Sequence, residues 1–138
     1  SLRTQAAQRG WEPPVYLRKA DTDAAFERLT ARLLGALPLV RPEIATHNVR
    51  SIAHAMAWAE AAKVPKDAVE FQLLYGMGDA ILGAVRHEGY PVRVYAPLGE
   101  LIPGMAYLVR RILENTANES FLRQDFLNAP EEALLHAP

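Results

Sequence analysis

Cysteine is absent from the 138-residue chain, which excludes a disulfide framework, a thiolate nucleophile and thiolate metal ligands. That absence leaves the redox compartment open, although a reducing cytoplasm is the easier fit. An excess of charge of one sign is missing too: 15 Lys and Arg stand against 16 Asp and Glu, a formal net charge of −1. No overall field draws such a chain onto nucleic acid or an anionic membrane. No stretch approaches the roughly 20 apolar residues of a spanning helix, and the start carries no signal-peptide pattern. The expectation is a soluble, cytoplasmic protein. Phosphate-cradling loops are lacking as well, since Gly76-Met-Gly78 stops short of GxGxxG and no GxxxxGK[ST] occurs. Neither Ser51 nor Ser120 sits in a nucleophile elbow, and His47, His54 and His87 have no companions at metal-ligand spacing. No metal site and no acyl-transfer nucleophile are expected.

What is present is apolar residue in periodic patterns. Half of the chain is hydrophobic, enough for one core and one folded unit. Four short β-type runs recur: Pro14-Val-Tyr-Leu-Arg18, Glu43-Ile-Ala-Thr-His47, Val69-Glu-Phe-Gln-Leu-Leu-Tyr75 and Pro91-Val-Arg-Val-Tyr95. Each precedes a helical pattern. Asp21-Thr-Asp23 is placed to cap the first helix, with Phe26, Leu29, Leu33 and Leu34 on one face and a stop near Gly35 or Pro38. Asn48 is a good N-cap for the second, which buries Ile52, Met56 and Ala59 and ends before Pro65. The third spans about Gly78 to Arg86, with Ile81, Leu82 and Val85 as its apolar stripe. Strand and helix alternating in this way predict an α/β fold of βα units on a parallel sheet. Four units are too few to close a barrel and leave open edges.

In a parallel sheet the carboxyl ends of the strands open on one side, where ligands bind. Arg18, Lys19, Thr46, His47, Asn48, Gln72 to Tyr75, and Tyr95 fall at those ends. As a neutral imidazole, His47 suits a hydrogen bond to a cofactor or to backbone. After Tyr95-Ala-Pro-Leu-Gly99 comes a fourth helix containing Tyr107-Leu-Val-Arg-Arg-Ile-Leu-Glu-Asn115. Met105, Leu108, Val109 and Ile112 define its buried stripe, and Tyr107, Arg110, Arg111 and Glu114 share the other side. Two arginines near a strand end can grip a small carboxylate by paired charge-assisted hydrogen bonds. The plainer alternative is a solvated face carrying an Arg110–Glu114 pair.

The chain resembles the C-terminal half of the flavin-dependent proline dehydrogenase domain, the oxidising module of bifunctional proline utilization A proteins. The stretches that carry the resemblance are Pro14 to Asp23, Ala45-Thr-His-Asn48, Glu70 to Gly78, Val92 to Gly99, and Tyr107 to Phe121 with its YLVRR and ENxxNxSF motifs. The resemblance implies a distorted (βα)8 TIM-type barrel that binds FAD, this chain supplying strands five to eight and the final helix. The family oxidises L-proline to Δ1-pyrroline-5-carboxylate. By resemblance, Arg110 and Arg111 bind the proline carboxylate, Tyr95 and Leu74 pack on its ring, and Tyr107 lines the pocket. Arg18, Lys19, Thr46, His47, Asn48, Gln72, Leu73, Glu114, Ser120 and Phe121 fall where the family contacts the cofactor. No catalytic residue is implied within this chain.

The same resemblance divides the chain into residues 1–122, half a barrel, and 123–138, a connector towards a fused aldehyde dehydrogenase module. It further implies a requirement for the N-terminal half-barrel, without which the chain is inactive. It implies a quinone as electron acceptor, met peripherally at the inner membrane. Two other readings stay open: another flavin barrel, such as a methylenetetrahydrofolate reductase, and a non-catalytic βα module that pairs its open edges with a partner.

Overall fold

The structure, a computed structural model, describes residues 2–115, with side chains to Leu113. Among these residues five α-helices and three strands follow one another, with one 3-10 turn at Lys66–Ala68: α1 (Leu2–Arg9), α2 (Lys19–Leu34), β1 (Glu43–Ala45), α3 (Val49–Ala61), β2 (Glu70–Leu74), α4 (Asp79–His87), β3 (Val92–Tyr95) and α5 (Leu101–Asn115). The strands form one parallel sheet in the order β1-β2-β3. Its register sets Ile44 beside Phe71, and Leu74 beside Tyr95. Among the described residues no helix is long and apolar enough to cross a membrane.

Side chains alternate across a strand, so one residue in two faces the helices. On that side Ile44, Phe71 and Leu73 join Leu34, Ile52, Ala55, Ile81 and Val85 in a single core. Phe71 is its largest fully buried side chain and meets Tyr90 edge to face at 5.4 Å. Asn48 begins α3 as expected, its side chain accepting from the Arg50 amide at 2.9 Å and from the Ser51 amide at 3.4 Å. At the amino ends of the strands, Lys66 donates to the Glu88 carbonyl and lies over the Tyr90 ring, tying the approach to β2 to the approach to β3.

Three expectations are corrected. Pro14–Arg18 is not a strand, because Pro13 and Pro14 remove two successive ladder donors; Val15, Tyr16 and Leu17 are exposed. The helix after it starts at Lys19 instead of being capped by Asp21 or Asp23. Those two carboxylates bind Arg18 and Lys19 from within the first turns, and the buried face runs through Ala25, Thr30 and Leu34, leaving Leu29 and Leu33 exposed. Finally, the apolar stripe of α5 is uncovered, with Met105, Val109 and Ile112 about half exposed, because no described element packs over it.

Candidate functional site

The side of the sheet turned away from the core carries Glu43, Glu70, Gln72, Leu74, Arg93 and Tyr95, every second residue of three adjacent strands. Polar side chains on this side bind one another across the strands. Glu70 accepts from Arg93 through both carboxylate oxygens, at 2.7 and 3.0 Å, and Gln72 Nε2 donates to Glu70 at 3.0 Å and to Glu43 at 2.8 Å. The Arg93 hydrogen bond first, and that of Gln72 second, hold the Glu70 carboxyl below its ordinary pKa, while the loss of water around it works the other way. This rung lies below the carboxyl ends and makes a charged floor for whatever occupies them.

Above the floor, Leu74 is buried beside Tyr95. Tyr95 in turn meets α5, where Tyr107 and Arg111 both act on its phenol, and the Arg111 guanidinium lies 5.5 Å from the Tyr107 ring centroid. Burial is the main reason the Tyr95 phenol titrates above its usual range, reinforced by Tyr107 and opposed by Arg111. It is neutral at physiological pH. Arg110 immediately precedes Arg111 on the same helix, about 100° around its axis. A guanidinium, two phenols and an apolar side chain are thus assembled from β2, β3 and α5, a set suited to a small molecule with a carboxylate at one end and a hydrocarbon body.

The carboxyl end of β1 adds a second group. Thr46 Oγ1 accepts from the Asn48 amide at 3.1 Å, and Asn48 Oδ1 is taken up by the α3 cap. With their oxygens so engaged, the Thr46 hydroxyl and the Asn48 amide keep their hydrogens for an acceptor, which suits a ligand rich in acceptor oxygens. His47 Nε2 accepts from the Leu74 amide at 3.2 Å. Burial lowers the pKa of its ring, and the Met77 backbone offsets this in part. Leu73 points its side chain into the core and offers only its backbone to this end. Arg18 and Lys19 are occupied at the start of α2 by Asp21 and Asp23. The Glu114 side chain, Ser120 and Phe121 lie outside the described residues.

Glu43, Glu70 and Arg93 were not among the residues singled out by sequence. Their signal was available in the pattern Glu-Phe-Gln-Leu-Leu beside Val-Arg-Val-Tyr, which places charge on the side opposite the core residues.

Comparison with known proteins adds context to this geometry. The family profile described as proline dehydrogenase matches residues 2–124. The bifunctional protein PutA of Escherichia coli is 38% identical over 117 residues, covering 80% of this chain and 9% of that protein. The proline dehydrogenase of Deinococcus radiodurans is 38% identical over 113 residues, 82% of this chain and 35% of that protein. Among solved structures, proline utilization A from Bdellovibrio bacteriovorus, inactivated by N-propargylglycine, superposes with a TM-score of 0.92 and 51% identity over 99% of this chain and 14% of that one. The chain therefore spans a tenth to a third of the length of these relatives.

Proposed function

The chain belongs to the proline dehydrogenase family, and from that premise we propose that it is part of a flavoenzyme that oxidises L-proline to Δ1-pyrroline-5-carboxylate. Its three strands and their helices are read as the closing units of a (βα)8 barrel whose other strands come from an N-terminal portion. Residues 1–122 belong to that barrel, and 123–138 lead towards a fused aldehyde dehydrogenase module that carries the product on to glutamate.

The observation that carries the reading is the meeting of Tyr95, Tyr107 and Arg111 at the carboxyl end of the sheet. Arg111 and Arg110 bind the proline carboxylate by charge-assisted hydrogen bonds. Leu74 and the Tyr95 ring pack against the pyrrolidine body and fix which ring carbon faces the cofactor. Because Tyr95 is uncharged, it adds no repulsion against the carboxylate beside it. Tyr107 holds the Tyr95 phenol and the Arg111 side chain in one arrangement.

When bound, FAD would supply the two-electron acceptor for the hydride on the ring carbon that adjoins the nitrogen and lies away from the carboxylate, the nitrogen releasing a proton. Thr46, Asn48 and Gln72, the Leu73 backbone, and Arg18, Lys19, Glu114, Ser120 and Phe121 are assigned to holding it. His47 stands beside them at the same end. The residues of this chain orient a rigid amino acid and exclude water, and none acts as a nucleophile. A quinone, met at the surface of the inner membrane, accepts the electrons afterwards.

The test is a visible absorption spectrum of the intact protein containing this chain, before and after L-proline under anaerobic conditions. Bleaching of a flavin band is expected. A bound flavin that proline leaves unchanged overturns the substrate, and a protein without flavin overturns the cofactor.

A further inference from the structure

We propose that His47 is a positioning residue for the substrate pocket: its neutral ring replaces the strand partner that Leu74 lacks and fixes the backbone that carries the Leu74–Tyr95 wall. Consider the amides of β2 that face β1. Alternate residues point to the same neighbour in a parallel ladder, so residues 70, 72 and 74 form one series. The Glu70 amide donates to the Pro42 carbonyl at 3.1 Å, and pairing continues to Ala45 opposite Gln72. There β1 ends, because Thr46 turns the chain by accepting from the Asn48 amide and Asn48 starts α3. The next amide in the series is that of Leu74. It donates to His47 Nε2 at 3.2 Å.

The ring is held from its other side as well. The Met77 backbone lies near enough to oppose the effect of burial on the ring, and Gly78 passes close enough that a Cβ there would lie 3.4 Å from the imidazole Cδ2. Gly78 has φ +98°, a left-handed conformation that glycine adopts without strain. The sequence Leu74-Tyr-Gly-Met-Gly78 thus wraps the imidazole. An imidazole nitrogen that accepts from an amide carries no proton, so the neutral ring must hold its proton on Nδ1. Burial, which disfavours the imidazolium, works in the same direction. With Nε2 taken by the Leu74 amide, the ring keeps no acceptor nitrogen for a cofactor. Its reach into catalysis runs through Leu74, whose own partner in the register is Tyr95.

The kinetic part of the test rests on the proline-oxidation reading, and the spectroscopic part does not. Nitrogen-15 NMR of the His47 ring in the full chain is expected to show the Nδ1–H tautomer; a proton on Nε2 overturns the proposal. In the intact enzyme, His47→Leu strands the Leu74 amide and is expected to raise KM for L-proline about tenfold, with flavin content per polypeptide unchanged. His47→Gln, whose Oε1 can accept the same amide, is expected to return KM to within about twofold of the parent. Loss of flavin in both variants makes the ring a cofactor ligand and overturns the proposal. A parent enzyme that does not oxidise proline refutes the functional reading alone, and the tautomer then decides the ladder role.

Discussion

The two sides of the three-stranded sheet are built from the same strands and alternate residues, yet they obey different rules. One side is apolar, packed by α3 and α4 around Phe71, and closed. The other carries Glu43, Glu70, Gln72 and Arg93 in mutual hydrogen bonds and ends in Leu74, Tyr95 and the arginine-bearing α5. The difference separates two tasks: stability is concentrated on the side facing the helices, and the recognition proposed above on the side facing away. Substitutions that change one property while leaving the other intact would bear this out.

The largest effect is expected for Phe71→Ala. Removing a fully buried aromatic side chain costs about 3–5 kcal/mol, so chemical denaturation of this variant should show most of the stability gone, and any activity lost through unfolding. Arg111→Ala is the opposite case. Truncating one arm of a desolvated charge pair costs about 2–5 kcal/mol of binding, read as a rise of at least tenfold in KM for L-proline, while the melting temperature stays near that of the parent. A large fall in stability here would mean that α5 belongs to the structural side.

Asn48 lies between the two categories and separates them within one side chain. Asn48→Ala removes the α3 cap, costing about 1 kcal/mol; Asn48→Asp keeps the capping oxygen and loses only the outward amide donor. The aspartate variant should therefore melt like the parent and bind flavin more weakly, and equal melting of the two variants would dismiss the cap. The smallest effect concerns the floor. Glu70 has a depressed pKa in the folded chain, so its contribution is present above the ordinary carboxylate range and is lost as pH falls through the lower, folded value. Glu70→Gln should flatten the acid limb of a plot of melting temperature against pH and change little at neutrality. High salt should weaken the same contribution, because the Arg93 side chain is mostly exposed.

Much of the closed side was legible in the sequence, because apolar periodicity reports burial directly. Ile44, Phe71, Ile52, Ile81 and Val85 follow strand or helix spacing, and Asn48 announces a helix start through its own chemistry. Pro14–Arg18 misled, since β-branched and aromatic residues there resemble a strand while two prolines deny it donors. The stripe on α5 misled differently. Met105, Val109 and Ile112 have the correct spacing for burial, and spacing cannot say whether anything lies opposite. On the open side, the strand ends point to Leu74 and Tyr95 and the arginine-bearing helix to Tyr107 and Arg111, and the fold brings the two sets together. The Glu70–Arg93 rung escaped notice because its partners are 23 residues apart and meet only through the strand register.

Lys66, far from all of this, has a consequence for how such a molecule can change over generations. By joining the Glu88 carbonyl and the Tyr90 ring it fastens two inter-element connections at the amino ends of the strands. A rim secured there shares with the His47–Leu74 contact at the opposite rim the work of holding the strands together. Loops at the carboxyl ends that avoid His47 can then vary in sequence with less loss of strand alignment than an unfastened rim would allow.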